Sequence, residues 1–297
     1  MRWDDKLLNR VITEDDFSFS KHTTYGLGGK AKRAYFPKTV DEAVAVFKYI
    51  QESGDKFAIL GNGSNILASD GYFDGAVICT KYLQGIEFED GNINVLAGTT
   101  VPSLLSFCVK NGLSGLEYLA GIPASVGGLA LMNGGINTNH IDANIVSVDV
   151  FDGKIRNLSN KNCNFGNKHS TMRDIIALIL SVKLLVSQST PEEVQRNIDN
   201  YLNLRKIQPK GKSCGCVFKN PQGYSAGKLI DDAGLKGFKY GCAEVSKEHA
   251  NFIINNGACA NDVYTLINLV KSTVYEKFTV NLEEEVVYIG EFNVFNS

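Results

Sequence analysis

Two glycine-rich loops hold the residues best suited to ligand chemistry. The first, Gly61-Asn62-Gly63-Ser64-Asn65, ends the apolar run Phe57 to Leu60. Its glycines let successive backbone N–H groups point into one concavity, and Ser64 and Asn65 add short donors, which suits a pyrophosphate. A tight turn after a strand uses the same residue types. The loop lacks G-x-G-x-x-G spacing, so a dinucleotide fold of the Rossmann kind is poorly supported. In the second loop, Gly121-Ile-Pro-Ala-Ser-Val-Gly-Gly128, Pro123 is placed to open a helix, with Ser125 at its positively polarised start. Gly127, Gly128 and Asn133-Gly134-Gly135 flank the apolar run Leu129 to Met132, and glycines so placed also serve as packing devices. Two such loops in one half of the chain point to an extended anionic cofactor.

Other reactive residues are ambiguous alone. Cys214 and Cys216 form C-x-C, but with no second pair at zinc spacing and no nearby histidine no metal site is expected. Glu283, Glu284 and Glu285 read as a solvated strand edge, and His249 as a structural histidine. Arg205, Lys206, Lys210 and Lys212 could attract a diphosphate, although a solvated loop is the ordinary role of such a cluster.

These residues depend on elements whose ends are marked. Pro37 precedes the capping box Thr39-Val-Asp-Glu42, after which Ala43, Phe47 and Ile50 line one helical face. A helix is expected over about 102–111, closed by Gly112 at C′. Strands are expected over 92–97 and 146–151, and the nearly all-apolar 175–185 adds another. Thr190, Pro191 and Glu193 mark the next helix start, and a further helix is expected over about 225–233. Val263, Leu266, Ile267, Val270 and Val274 then keep i, i+3, i+4 spacing. The pattern is α+β with several sub-domains, divided near 80 and 188.

Composition bounds the function. The chain has 297 residues, 30 basic against 32 acidic, which excludes the basic footprint of a nucleic-acid binder. Its 29 glycines cluster between apolar runs, as expected where a ligand approaches backbone closely. Met1 to Arg10 has no apolar core of a secretory signal, and no run is long enough to span a bilayer. Seven cysteines, an odd number, favour reduced thiols and a cytoplasmic location.

Taken in order, the segments resemble the UDP-N-acetylenolpyruvoylglucosamine reductase (MurB) family along nearly the whole chain. The resemblance rests on Lys21-His-Thr-Thr-Tyr25 leading to Gly28-Gly29, Leu60 to Leu67, and Gly115 to Pro123 with Val126-Gly-Gly128. It continues through Met132-Asn133-Gly134, Cys216-Val-Phe-Lys-Asn-Pro221, Ala226 to Ile230, Val245 to Phe252 and Leu282 to Val286. It implies two FAD-binding sub-domains of the vanillyl-alcohol-oxidase (PCMH) type, 1–80 and 81–188, and an α+β substrate-binding domain, 189–297. The segment 280–297 is expected to pack on the first of them. The chain length is similar to that of the shorter class, which lacks an extra substrate-covering loop.

The resemblance further implies non-covalent FAD, NADPH as electron donor, and reduction of UDP-N-acetylglucosamine enolpyruvate to UDP-N-acetylmuramate for peptidoglycan. The chain is expected to act as a monomer. Cofactor contacts fall on Gly61, Asn62, Gly63, Ser64, Asn65, Gly121, Ser125, Gly127, Gly128 and Asn133, and substrate contacts on Asn220, Lys236 and His249. The proton donor, a serine in the family, is Cys216 here, and the carboxylic acid is Glu285. A thiol with an ordinary pKa of about 8.5 is protonated at neutral pH and can donate. The family's Tyr-Arg pair is replaced by Asn167-Lys168, so Lys168 keeps the charge but loses a bidentate grip on carboxylate. That departure is the one support for an alternative, a weakly active or non-catalytic paralogue that binds FAD or UDP-sugar. An oxidase of the same fold would not need the Cys216 and Glu285 motifs, and no His or Cys lies between Phe57 and Ala68 for covalent flavin attachment.

Overall fold

The computed structural model describes residues 7–136 and 138–292, which fall into two compact units. Met1 to Lys6, part of the N-terminal stretch read for a signal, and 293–297 of the expected C-terminal segment lie outside the described residues.

The first unit comprises the described residues of Met1–Glu14, Arg33–Asn62 and Gly75–Lys206. Helix α1 (Val40–Ser53) starts as the capping signal requires, with Thr39 Oγ1 accepting from the Glu42 N–H at 3.2 Å. The return half of the box is displaced, for the Glu42 carboxylate accepts from the Lys38 N–H at 2.7 Å. The helix buries Ala43, Val46, Phe47 and Ile50, each large side chain contributing about 1.5–3 kcal/mol. Phe47 meets Phe57 and Phe151 edge-on, with centroids 5.5 and 5.7 Å away. Phe57 lies on the strand Lys56–Leu60, which pairs in parallel with Phe73–Cys79 and so delivers Gly61 at its end.

A five-stranded antiparallel sheet follows, ordered Ile155–Ser159, Ile145–Phe151, Leu178–Leu185, Asn92–Leu96, Ile86–Glu89. Its third strand begins at Leu178 rather than at 175, because Thr171–Asp174 forms a single helical turn with Ile175 as its C-cap. Helix α2 (Val101–Asn111) is capped by Thr100 and closed by left-handed Gly112. Helix α3 (Val126–Met132) begins later than Pro123 predicted. The Val126 and Gly127 N–H groups are donated to Thr99 O and Ala97 O, at 2.9 and 2.8 Å, so Ser125 becomes the N-cap and Pro123 stays in the loop. Helix α4 (Pro191–Leu204) uses Thr190 as cap, and Ser189 Oγ bonds the Glu193 carboxylate at 3.0 Å.

The second unit comprises Asp15–Lys32, Gly63–Asp74 and the described residues of Ile207–Ser297. Helix α5 (Ala226–Asp232) and the long α6 (Ala260–Phe278) bury Ile230, Val263, Leu266, Ile267, Val270 and Val274 in its core. Cys259 gives α6 no side-chain cap; the Asp70 carboxylate does so instead, accepting from Ala260 and Asn261 N–H at 2.9 and 3.1 Å. The strand Ile66–Ala68, just past the first glycine loop, pairs in parallel with Val287–Ile289. No described helix is long and apolar enough to cross a membrane.

Candidate active site

In the first unit the two glycine loops are joined. Asn62 Nδ2 donates to Pro123 O at 2.6 Å, and a Cβ built on Gly61 would lie 2.4 Å from Ser125 Oγ. Gly121 is left-handed at φ +78°, as only glycine readily is, and its open face rests on the side chains of Arg205 and Leu202. Ser125 Oγ accepts from Gly128 N–H at 3.3 Å, and Gly127 backs directly onto Ala97. A Cβ at Gly61 or Gly121 would collide with these neighbours, so side-chain-free backbone and the short side chains of Asn62 and Ser125 meet where the two loops join. These residues fit an elongated anionic cofactor such as FAD.

Lys168 sits in a turn held from both ends. Asn133, the left-handed C-cap of α3, donates from Nδ2 to Gly166 O at 3.1 Å and accepts at Oδ1 from Asp142 N–H at 3.2 Å. Ser170 Oγ donates to Leu131 O at 2.7 Å. Gly166 and His169 bridge each other, and Arg173 donates to Lys168 O at 2.8 Å. Lys168 itself is left-handed at φ +54°.

In the second unit Cys216 and Glu285, far apart in the chain, lie on adjoining extended segments. Glu285 N–H donates to Val217 O at 2.7 Å, and Phe218 bridges Glu284. Asn65, in the first glycine loop, donates from Nδ2 to Glu285 O at 2.8 Å, so one residue of that loop pins the acidic segment. The three glutamates part company. Glu283 pairs with Lys219 and Glu284 with Lys271, the latter at 2.7 Å, whereas Glu285 acts electrostatically on Cys214, as does Cys216. Cys216 is partly exposed. Cys214 is buried, which pushes its thiol up to about 12 and makes it a small apolar neighbour rather than a nucleophile.

Gly63 shows what the loop demands of its sequence. Its φ is +65°, and a Cβ there would stand 2.1 Å from His22 O, whose backbone cannot step aside. Gly63→Ala should therefore cost about 2–3 kcal/mol whatever the loop binds. A fall in the denaturant midpoint of the cofactor-free protein checks this; an unchanged midpoint would contradict it.

The three predicted substrate contacts gather about α5. Asn220 Oδ1 accepts from Ala226 N–H at 2.9 Å, and His249 Cε1 would lie 3.2 Å from a Cβ on Gly227. Lys236 pairs with Asp231 at 2.7 Å, and its charge reaches His249. Burial, then that charge, lowers the His249 pKa and keeps the ring neutral near pH 7. Its Nδ1 accepts from Asn251 N–H at 3.2 Å, which leaves the proton on Nε2 to donate.

Asn251 is a site residue that sequence reasoning missed. Buried at 3% exposure, it accepts from Phe218 N–H at 2.9 Å, donates to Phe218 O at 2.8 Å, and receives Val217 N–H on its own carbonyl at 2.8 Å. It therefore fixes the backbone immediately after Cys216. Its one signal was a polar side chain between Ala250 and Phe252, which does not reveal a partner 33 positions away.

Residues 31–159 match the family model described as an FAD binding domain, and residues 208–289 match the C-terminal domain of UDP-N-acetylenolpyruvoylglucosamine reductase. The UDP-N-acetylenolpyruvoylglucosamine reductase of Prochlorococcus marinus is 35% identical over 290 residues, covering 95% of this chain and 100% of its own. That of Caldicellulosiruptor saccharolyticus is 38% identical over 277 residues, covering 91% and 89%. The crystal structure of UDP-N-acetylenolpyruvylglucosamine reductase (MurB) from Thermus caldophilus aligns with a TM-score of 0.80 at 36% identity, covering 95% of this chain and 99% of that one.

Proposed function

The chain belongs to the UDP-N-acetylenolpyruvoylglucosamine reductase family, and we propose on that basis an assignment of roles to its residues. It is an FAD-dependent oxidoreductase that uses NADPH to reduce the enolpyruvyl ether of UDP-N-acetylglucosamine to the lactyl ether of UDP-N-acetylmuramate, a peptidoglycan precursor. Relatives of that name matched over nearly the whole chain favour this over a non-catalytic paralogue. Residues 1–80 and 81–188 form the two flavin-binding sub-domains and 189–297 the substrate domain. It works as a cytoplasmic monomer on small molecules, without nucleic acid or membrane.

When bound, the flavin supplies hydride transfer from NADPH to the terminal vinyl carbon of the substrate. Gly61, Asn62, Gly63, Ser64, Asn65, Gly121, Ser125, Gly127, Gly128 and Asn133 hold it through backbone donors and short side chains. Asn220, Lys236 and the Nε2–H of His249 hold the UDP-sugar. As hydride arrives, negative charge spreads onto the enolpyruvyl carboxylate. Glu285, as the acid, and Lys168, as the cation, stabilise that charge. Cys216 then gives the Sγ proton to the carbon that bears the carboxylate, and its thiolate recovers a proton from water. The meeting of 216–218 with 284–285 carries this assignment, since donor and acid must act on one carbon and its carboxylate.

Without oxygen, purified protein with bound flavin should consume NADPH beyond one equivalent per flavin only when the enolpyruvyl substrate is added, giving a product heavier by two hydrogens. Consumption beyond that equivalent without the product would overturn the assignment.

Lys168→Arg should raise kcat on the order of tenfold, ~1.4 kcal/mol, because a planar fork grips carboxylate at two points. The backbone at φ +54° treats both side chains alike, and the Arg173 bond goes to the backbone carbonyl, so the change tests the head group alone. An equal or lower kcat would contradict the role of Lys168.

A further inference from the structure

Arg205 belongs to the basic cluster for which the sequence left two readings, attraction of a diphosphate or the more ordinary solvated loop, and its placement argues against the second. It follows the last residue of α4, and its Nε is buried. A Cβ on Gly121 would lie 3.0 Å from Arg205 Cδ and 3.1 Å from Nε. The arginine stem is thus the floor on which the second glycine loop rests, and the loop can lie there because Gly121 has no side chain and is left-handed. That loop is in turn tied to Asn62 of the first loop through Pro123 O. The second loop, already assigned to the cofactor, therefore has a permanently charged neighbour held by packing, and the first loop is joined to it. By contrast, the Lys212 side chain of the same cluster lies over Gly26, in the second unit.

We propose that Arg205 is a cofactor-binding residue whose guanidinium neutralises the diphosphate of FAD at the Gly121 loop. The idea rests on the flavin assignment above and extends it to a residue outside the stretch matched to the FAD binding domain. A guanidinium suits this task because it stays charged at every working pH and presents several donors in a rigid plane. Backbone N–H groups supply only partial charges, so two formal negative charges next to them call for a full cation.

The test uses full-length protein stripped of flavin and titrated with FAD and with riboflavin, which lacks phosphate, with binding read by flavin fluorescence. Arg205→Gln should weaken FAD about 10- to 100-fold, the effect of losing charged hydrogen bonds, and leave riboflavin within twofold. Arg205→Lys, which keeps charge and most of the stem, should recover part of the loss. Equal FAD affinity in all three proteins would overturn the proposal, as would a parallel loss of FAD and riboflavin, which marks a damaged loop. If Arg205→Gln does not fold, the Arg205→Lys comparison decides alone: a FAD affinity unchanged from the parent protein refutes the diphosphate contact, and a selective loss of FAD over riboflavin supports it. Failure of the parent protein to bind FAD would instead refute the underlying flavin assignment.

Discussion

Replacing Cys216 with alanine should slow substrate reduction by about 10²- to 10⁴-fold, the usual weight of a positioned proton donor. Flavin reduction by NADPH should keep its rate, because that half of the cycle needs no proton at the substrate carbon. The fold should survive, since Cys216 is tied to Phe252 through backbone and its side chain is partly exposed. Serine at 216 should return activity to within about tenfold of the parent enzyme, as a hydroxyl can donate at the same point. The serine protein should also resist thiol alkylation at the site, although exposed Cys242 and Cys259 will still react. Rapid-mixing measurement of the two half-reactions checks all of this. Equal substrate reduction by the alanine protein would remove Cys216 from the chemistry.

Glu285→Ala should cost about 10²- to 10³-fold in the same step, comparable to the loss of one preorganised donor to a developing anion. The backbone bonds of Glu285, to Val217 and from Asn65, do not involve its side chain and should persist. Glu285→Gln, which still donates a hydrogen bond, should fall between the two. Glu283→Ala and Glu284→Ala are the internal controls, because those carboxylates already pair with Lys219 and Lys271. They should change the rate by less than about threefold, as expected of ion pairs near the surface. A loss spread evenly over the three glutamates would argue against a special role for Glu285.

Local signals in the sequence carried much of the fold. Thr39 and Thr190 each cap a helix in the structure as expected, because a cap is satisfied within three residues and can be read without tertiary context. Pro123 misled for the opposite reason. The start of α3 is set by bonds from Val126 to Thr99 and from Gly127 to Ala97, 27 and 30 positions back, which no local motif reports. Likewise the pairing of Ile66–Ala68 with Val287–Ile289 joins two short strands through long-range contact alone. In the site, the glycine loops were visible by composition, while the pairing of Glu283 with Lys219 and of Glu284 with Lys271 depended on tertiary contact. Asn251 was missed because burial, not residue type, distinguishes its role.

The most direct test of the central claim, that Cys216 and Glu285 act together on a substrate reduced by bound flavin, is anaerobic reoxidation. Enzyme bleached with one equivalent of NADPH should regain its yellow colour when UDP-N-acetylglucosamine enolpyruvate is added, rapidly in the parent protein and slowly in the Cys216→Ala and Glu285→Ala variants. A parent enzyme that bleaches and stays colourless with substrate, or variants that recover as fast as it does, would contradict the account.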